Sequence, residues 1–275
     1  MTASIPEPSG PPRSEALAHP NEAKVYVVGA LKGGTGKTRL AMLMALILAV
    51  VFGRRVVFFD ADSASQTSSN WPLKAAQRKF TWPFEVIRHP FETLDEEIDK
   101  VRARGDVDYV IVDVGGGNVA AFLAAVRRAH KLLVPLCPDE GDLEQAPKTR
   151  EAAFMAAARN TVGGCLMYYV LSRCENSNDK TDARAQLLNE THNGPDGAYP
   201  LLDTDIPMLV AYKRAFGRIP QLKSMSTDPD CPRWKDLVGF LPMLLEMEIL
   251  TKDEVLGAGL MTKREVEALE KRAVI

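Results

Sequence analysis

Residues 29–40 read GALKGGTGKTRL. Glycines allow tight turns and close approach of a ligand to the backbone. A glycine-rich turn that runs into a helix aims its N–H groups at phosphate oxygens. Gly33, Gly34, Thr35 and Gly36 would form that cradle, Lys37 would reach the terminal phosphates, and the Thr38 hydroxyl would bind Mg²⁺. The spacing departs from the ordinary phosphate-loop pattern, because Leu31 stands where its first glycine belongs. A further lysine, Lys32, precedes the run, and one phosphate site has no evident need of both cations. Three carboxylates are placed to work with such a loop. Asp113 closes the apolar run YVIVD and would hold Mg²⁺ through water, since that ion keeps its waters and takes few carboxylates. Asp60 and Asp62 end another apolar run. One would orient or deprotonate an attacking water and the other would support the metal shell; spacing alone does not assign which.

These residues need a frame that brings strand ends together. KVYVVGA (24–30), RRVVFFDAD (54–62), DVDYVIVDVGGG (106–117), HKLLVPL (130–136) and CLMYYVLSR (165–173) read as buried strands, with FEVIRH as a shorter one. Helical stretches alternate with them, at 93–104 and around 144–160 among others. The pattern predicts an α/β fold: a mostly parallel sheet with helices on both faces, whose ligands bind at the carboxyl ends of the strands. The glycine loop, Asp60, Asp62 and Asp113 all fall at such ends. After about residue 176 the pattern weakens into a loop, a polar helix and another loop, then helices near 209–218 and 232–248. Residues 1–23, rich in Pro and Ser and without an apolar block, read as a disordered arm and not a signal peptide. A domain over 24–250 and an amphipathic helical extension over 251–275 complete the expected organisation. The apolar run at 40–52 is too short to cross a bilayer and reads as a buried helix. The net charge of −2 over 275 residues gives no global sign of nucleic-acid or membrane binding, so any such surface must be a local patch. The four cysteines lack metal-ligand spacing, and a reducing cytoplasm is the expected setting.

KGGTGKT also resembles the deviant Walker A motif of the ParA/MinD family of P-loop ATPases. VVFFDADSASQTSSNW resembles that family's first switch segment and the Trp that follows it in plasmid ParA proteins. DYVIVDVGGG resembles its Walker B strand, LLVPLCPDEGDLE its next strand and loop, and TDIPMLVAYKRAFGRIPQL a late segment with an Ile-Pro ahead of a helix. The resemblance runs from about residue 24 to 245. It implies that Lys32 is a signature lysine reaching the partner's phosphates across a nucleotide-sandwich dimer. It also implies that Asp62 is the switch aspartate acting on water, that Asp60 lies near the metal and that Asp113 is the Walker B carboxylate. Catalytic duty thus falls to Lys32, Lys37 and Asp62, metal binding to Thr38, Asp60, Asp62 and Asp113, and nucleotide binding to residues 32–39 with Arg173 and Pro207. Three departures stand out. No proline follows Asp62, Arg39 replaces a threonine close to where an α-phosphate would lie, and Ser172 stands where relatives carry an adenine-contacting Asn.

The resemblance is closest to ParA-like ATPases that partition plasmids or chromosomes. It implies ATP and Mg²⁺ as cofactors, a homodimer with ATP, non-specific DNA as matrix, and a ParB-like or other partner that stimulates hydrolysis. Nucleoid association within the cytoplasm would follow. Lys213, Arg214, Arg218, Lys223, Arg233 and Lys235 are the candidate DNA contacts, as clustered cations are what a phosphate backbone requires. A MinD-like membrane-cycling ATPase, a small-molecule ligase or kinase, and a nucleotide-dependent factor for conjugation or secretion remain open. The tail LMTKREVEALEKRAVI, with three glutamates and no aromatics, suits a packing helix better than a membrane-binding one.

Overall fold

The structure, a computed structural model, describes residues 23–64, 68–175, 177–192, 200–208, 214–219 and 238–272. Its centre is a seven-stranded sheet in which every pairing is parallel. The strands are β1 (Lys24–Gly29), β2 (Val56–Asp60), β3 (Glu85–Arg88), β4 (Tyr109–Val114), β5 (Lys131–Leu136), β6 (Leu166–Cys174) and β7 (Ile206–Pro207), in the spatial order β3-β2-β4-β1-β5-β6-β7. The chain leaves β1 for β2 on one side, yet β5 returns to its other side. Strand order therefore reverses beside β1, where parallel sheets open a crevice for ligands.

Both faces are covered, which is why the central strands read as unbroken apolar runs. Val25, Val27, Val57, Phe59, Val110 and Val112 point to one face, into a core completed by α3 (Leu94–Ala103), α4 (Val119–Val126) and α6 (Ala146–Ala157). Their neighbours Tyr26, Val28, Phe58 and Ile111 point to the other, against α1 (Lys37–Leu46) and α8 (Leu241–Glu246). α1 continues as a π-helical turn, Ile47–Val51, and the chain reverses at Gly53, whose φ of 61° lies in the left-handed region. Leu40 to Leu48 are each at most 3% exposed, so the apolar run is a helix buried on all sides up to Leu48, with Ala49, Val50 and Phe52 partly buried. No helix among the described residues is long and apolar enough to cross a membrane.

Between β2 and β3 lies α2 (Asn70–Gln77); short α5 (Glu140–Leu143) precedes α6, and α7 spans Ser177–His192. The expected single extension after residue 250 is two helices, α9 (Lys252–Gly257) and α10 (Lys263–Arg272). Each is opened by a threonine and a glutamate three residues on, which exchange hydrogen bonds with one another's backbone: Thr251 with Glu254, Thr262 with Glu265. Glu254 also pairs with Arg54 ahead of β2, and Val255 and Val266 are buried. This segment is thereby seated on the domain. Of the helix expected at 209–218, only the end from Arg214 is described.

Candidate nucleotide site

The glycine loop leaves the carboxyl end of β1, and Gly34 and Gly36 take φ values of 89° and 87° that only glycine adopts without strain. Lys37 opens α1 and is only 6% exposed; its ammonium donates to the carbonyl of Lys32, inside the turn. Burial pushes its pKa down, opposed by Asp113 and Asp62. Lys32 has a different setting. Its side chain lies at the lip of the loop, 36% exposed, with Nζ 2.5 Å from Asp142 and 3.5 Å from Asp139. The Asp142 contact raises its pKa, so it stays charged. Asp142 is itself held, because its other oxygen accepts the Cys137 N–H at 2.9 Å. The two lysines thus occupy separate settings, one inside the loop and one at its lip.

Asp60 and Asp113 are register partners on β2 and β4, and both are buried. Two adjacent serines fasten them. Ser68 Oγ donates to Asp113 Oδ2 at 2.8 Å, while Ser69 gives Asp60 Oδ2 both its N–H (2.9 Å) and its hydroxyl (2.6 Å). Asp60 Oδ1 accepts the Asp62 N–H at 3.3 Å. Both oxygens of Asp60 are therefore occupied in holding the segment after β2. Asp113 is different: its Oδ1 is buried without a hydrogen-bond partner. Burial pushes its carboxyl up from 3.8 to about 7, against the opposing pull of the Thr38 and Ser68 hydroxyls. An orphaned carboxylate oxygen beside Thr38 suits a divalent cation or its waters.

The glycines that follow Asp113 have steric reasons. A Cβ on Gly115 would collide with the Asp62 side chain, and one on Gly116 with the backbone at Lys32 and Gly33. The Gly117 N–H donates to the Leu31 carbonyl at 3.0 Å, so the turn after β4 is stitched to the phosphate loop. Asp62 caps its own turn through the Ala64 N–H at 2.9 Å.

From the loop a cleft of about 720 Å³ opens. Lys37, Thr38, Arg39, Asp62 and Arg173 line its polar part, and Leu40, Trp71, Pro207, Met208, Phe216 and Phe240 its apolar part. Arg173 sits at a register shift of β6 with φ of 57°, and such irregularities re-aim side chains. Its stem packs over Gly36 and its guanidinium donates to the Gly34 carbonyl at 2.5 Å. The hydroxyl of Ser172 is spent on the Thr35 carbonyl at 2.7 Å.

The structure thus brings together Lys32, residues 33–39, Asp60, Asp62, Asp113, Arg173 and Pro207. Arg214 and Arg218 do not line the cleft, though Phe216 between them does; the Arg218 guanidinium donates to the Arg214 carbonyl at 2.9 Å. Lys213, Lys223, Arg233 and Lys235 lie outside the described residues. Sequence reasoning missed the roles of Ser68, Ser69, Asp139 and Asp142, and the aromatic wall of Trp71, Phe216 and Phe240. The paired serines between Asp62 and Trp71 were the one available signal.

A parallel sheet whose first strand runs through a glycine loop into a buried helix, with a strand-end aspartate beside that loop, defines a P-loop NTPase fold. The sequence profile of the CobQ/CobB/MinD/ParA nucleotide-binding domain family matches residues 26–220, and the chain belongs to that family. Solved structures agree on the fold. McdA from Cyanothece in complex with ATP superposes with a TM-score of 0.57 at 18% identity, covering 84% of this chain and 98% of that one. The cell division ATPase MinD of Pyrococcus furiosus gives 0.54 at 18% identity, over 83% and 100% of the two chains. A putative plasmid partition protein of Borrelia burgdorferi bound to AMPPNP gives 0.51 at 13%, over 81% and 99%. No curated protein sequence matches significantly.

Proposed function

We propose that this protein is a Mg²⁺-dependent ATPase of the ParA-like partition type, in which ATP drives a face-to-face dimer that binds DNA without sequence preference and a partner protein stimulates slow hydrolysis. The observation that carries the reading is the separation of the two lysines. Lys37 already supplies the buried cation of the loop, while Lys32 is charged, half-exposed at its lip and held by Asp142 and Asp139. A cation so placed can exchange its carboxylates for the phosphates of a second protomer, which couples nucleotide occupancy to dimerisation.

The loop N–H groups and Lys37 hold the phosphates, and Thr38 with the unpartnered oxygen of Asp113 would hold Mg²⁺. When bound, that ion neutralises phosphate charge. Asp62 lies at the cleft wall against Gly115 and positions the attacking water. Asp60 acts one step back, fixing the segment that carries Asp62. A domain boundary near residue 250 is unneeded for this reading, since α9 is tied to β2 through Arg54. The seating of α10 through Val266 favours DNA over membrane as the matrix, because a membrane-binding helix must offer its apolar face outward.

The test is ATP turnover with and without duplex DNA, with light scattering for mass, on wild type and Lys32→Ala. Slow turnover that DNA alters is expected, with an ATP-dependent dimer that the variant cannot form. Rapid turnover by a monomer indifferent to DNA would overturn the proposal.

A further inference from the structure

Two stretches of the chain lack acidic residues altogether, one between Asp62 and Glu85 and the other between Asp205 and Asp228. The first carries Lys74, Arg78 and Lys79, and the second includes Arg214 and Arg218. The fold joins them. Phe216 meets Trp71 edge-on with ring centroids 5.2 Å apart, and the Arg78 guanidinium donates to the Phe216 carbonyl at 3.0 Å. Gly217 lies directly against Lys74 and Arg78, and a Cβ there would collide with both. α2, its C-cap and residues 214–219 are thus one surface unit, although 138 positions of chain separate Arg78 from Phe216.

The outer side of this unit is cationic. Trp71 and Ala75 turn inward, each at most 1% exposed, and Lys74 and Arg78, four residues apart, stack along the flank of that buried stripe. Lys74, Lys79 and Arg214 are exposed, with Arg78 and Arg218 half-buried beside them. Lys79 ends the helix at φ 63°, a left-handed position that favours glycine. Cations elsewhere on the surface face carboxylates, as Arg55 does Asp108 and Arg128 does Asp99. Among the described residues no carboxylate pairs with Lys74, Arg78 or Lys79; Lys74 meets only the Gln77 side-chain oxygen, at 3.1 Å. Like charges four apart on a helix repel. Gathering them without acids, on a chain of net charge −2, suits a polyanion. A membrane surface would want bulky apolar residues among the cations. Leu73 is the one large hydrophobic fully exposed on the described part of this unit, and Trp71 faces inward. A phosphate backbone asks only for the cations.

We propose that α2 and residues 214–219 form a composite face that grips the phosphate backbone of duplex DNA, with Lys74, Arg78 and Lys79 acting beside Arg214 and Arg218. The inference rests on the DNA-binding reading above, and it adds α2 to a surface otherwise drawn from the late segment alone. The face is backed by the nucleotide site. α2 begins directly after Ser68 and Ser69, which fasten Asp113 and Asp60, and Trp71 and Phe216 both line the cleft.

The test is fluorescence anisotropy with two labelled duplexes of unrelated sequence, with ATP and Mg²⁺, from about 50 to 200 mM salt. Wild type is compared with two double variants, Lys74→Gln with Lys79→Gln and Lys74→Arg with Lys79→Arg; Arg78 is left intact because it also joins the two segments. The glutamine pair should bind both duplexes about tenfold or more weakly at about 100 mM salt, with a log–log salt slope shallower by about two. The arginine pair should bind as wild type does, and all three proteins should melt alike. Affinity of the glutamine pair within about twofold of wild type, or an unchanged slope, refutes the α2 face. A loss that comes with a lower melting temperature, or that the arginine pair shares, makes the lysines structural and refutes it too. So does tighter lysine-dependent binding to vesicles of phosphatidylcholine with phosphatidylglycerol than to duplex. Failure of wild type to bind either duplex would instead strike the reading on which the inference rests.

Discussion

Replacing Asp113 by Asn should make the nucleotide-free protein more stable, and increasingly so as pH rises. Asp113 is 1% exposed, one of its oxygens has no partner, and its neighbour across the register is another carboxylate, Asp60. Burial raises its carboxyl from 3.8 to about 7. A folded-state pKa raised above the unfolded one means that the native state binds the proton more tightly. The contribution of Asp113 to stability is thus most favourable below about pH 4, declines as pH rises, and is flat above about 7. Three pH units at about 1.4 kcal/mol each give on the order of 4 kcal/mol between the two limits. Asn cannot ionise, so the difference in unfolding free energy between variant and wild type cancels every titration except that of Asp113 and the groups coupled to it, Asp60 and Lys37. Urea unfolding in EDTA, without nucleotide, at intervals from pH 4.5 to 8.5 measures it. The difference should climb in favour of the variant through pH 5 to 7 and then level off. A difference constant to within about 1 kcal/mol over that range would refute the argument from burial, as extrapolation error is of that order. Stabilisation of the variant should come with loss of Mg²⁺-dependent turnover.

Other substitutions test other contacts. Asp142→Asn should release Lys32 from its closest carboxylate and increase the ATP-bound dimer fraction at low protein concentration in light scattering, an effect that should shrink as salt screens the pair in wild type. Gly116→Ala should fold less stably by about 1–3 kcal/mol and lose most nucleotide affinity, because its methyl would meet the backbone at Lys32 and Gly33; calorimetry and thermal melts read both effects. Thr251→Ala should cost about 1 kcal/mol by removing the cap of α9, visible as a lower urea midpoint. Arg214→Ala and Arg218→Ala should each weaken DNA retention uniformly across sequences and reduce its salt dependence by about one counterion, as fluorescence anisotropy would report.

The fold was largely legible in the residues. Buried parallel strands have to be apolar on both faces, and β1, β2, β4, β5 and the carboxyl half of β6 announce themselves as such runs. The phosphate loop was legible because its glycines and Lys37 act through local backbone geometry. What stayed hidden depends on contacts far apart in sequence. Lys32 meets Asp142 across 110 positions of chain, and Ser68 meets Asp113 across 45. Spacing also could not divide the labour between Asp60 and Asp62. Ser69 occupies one oxygen of Asp60 and the Asp62 N–H the other, which is a matter of three-dimensional satisfaction rather than pattern. The cleft's apolar wall drew Trp71 and Phe240 from opposite halves of the chain, each reading locally as ordinary core.

The two glycines after Asp113 have a mechanical consequence. Gly115 touches Asp62 and Gly116 touches the phosphate loop, and in neither case is there room for so much as a methyl group. The dipeptide is a hinge pin without clearance. Were the loop to shift as nucleotide entered, the dipeptide would pass the displacement on to Asp62, the residue proposed to position water. Under the proposed reading, binding and hydrolysis would share one piece of backbone, and enlarging either glycine would wedge its two sides apart without removing any chemical group.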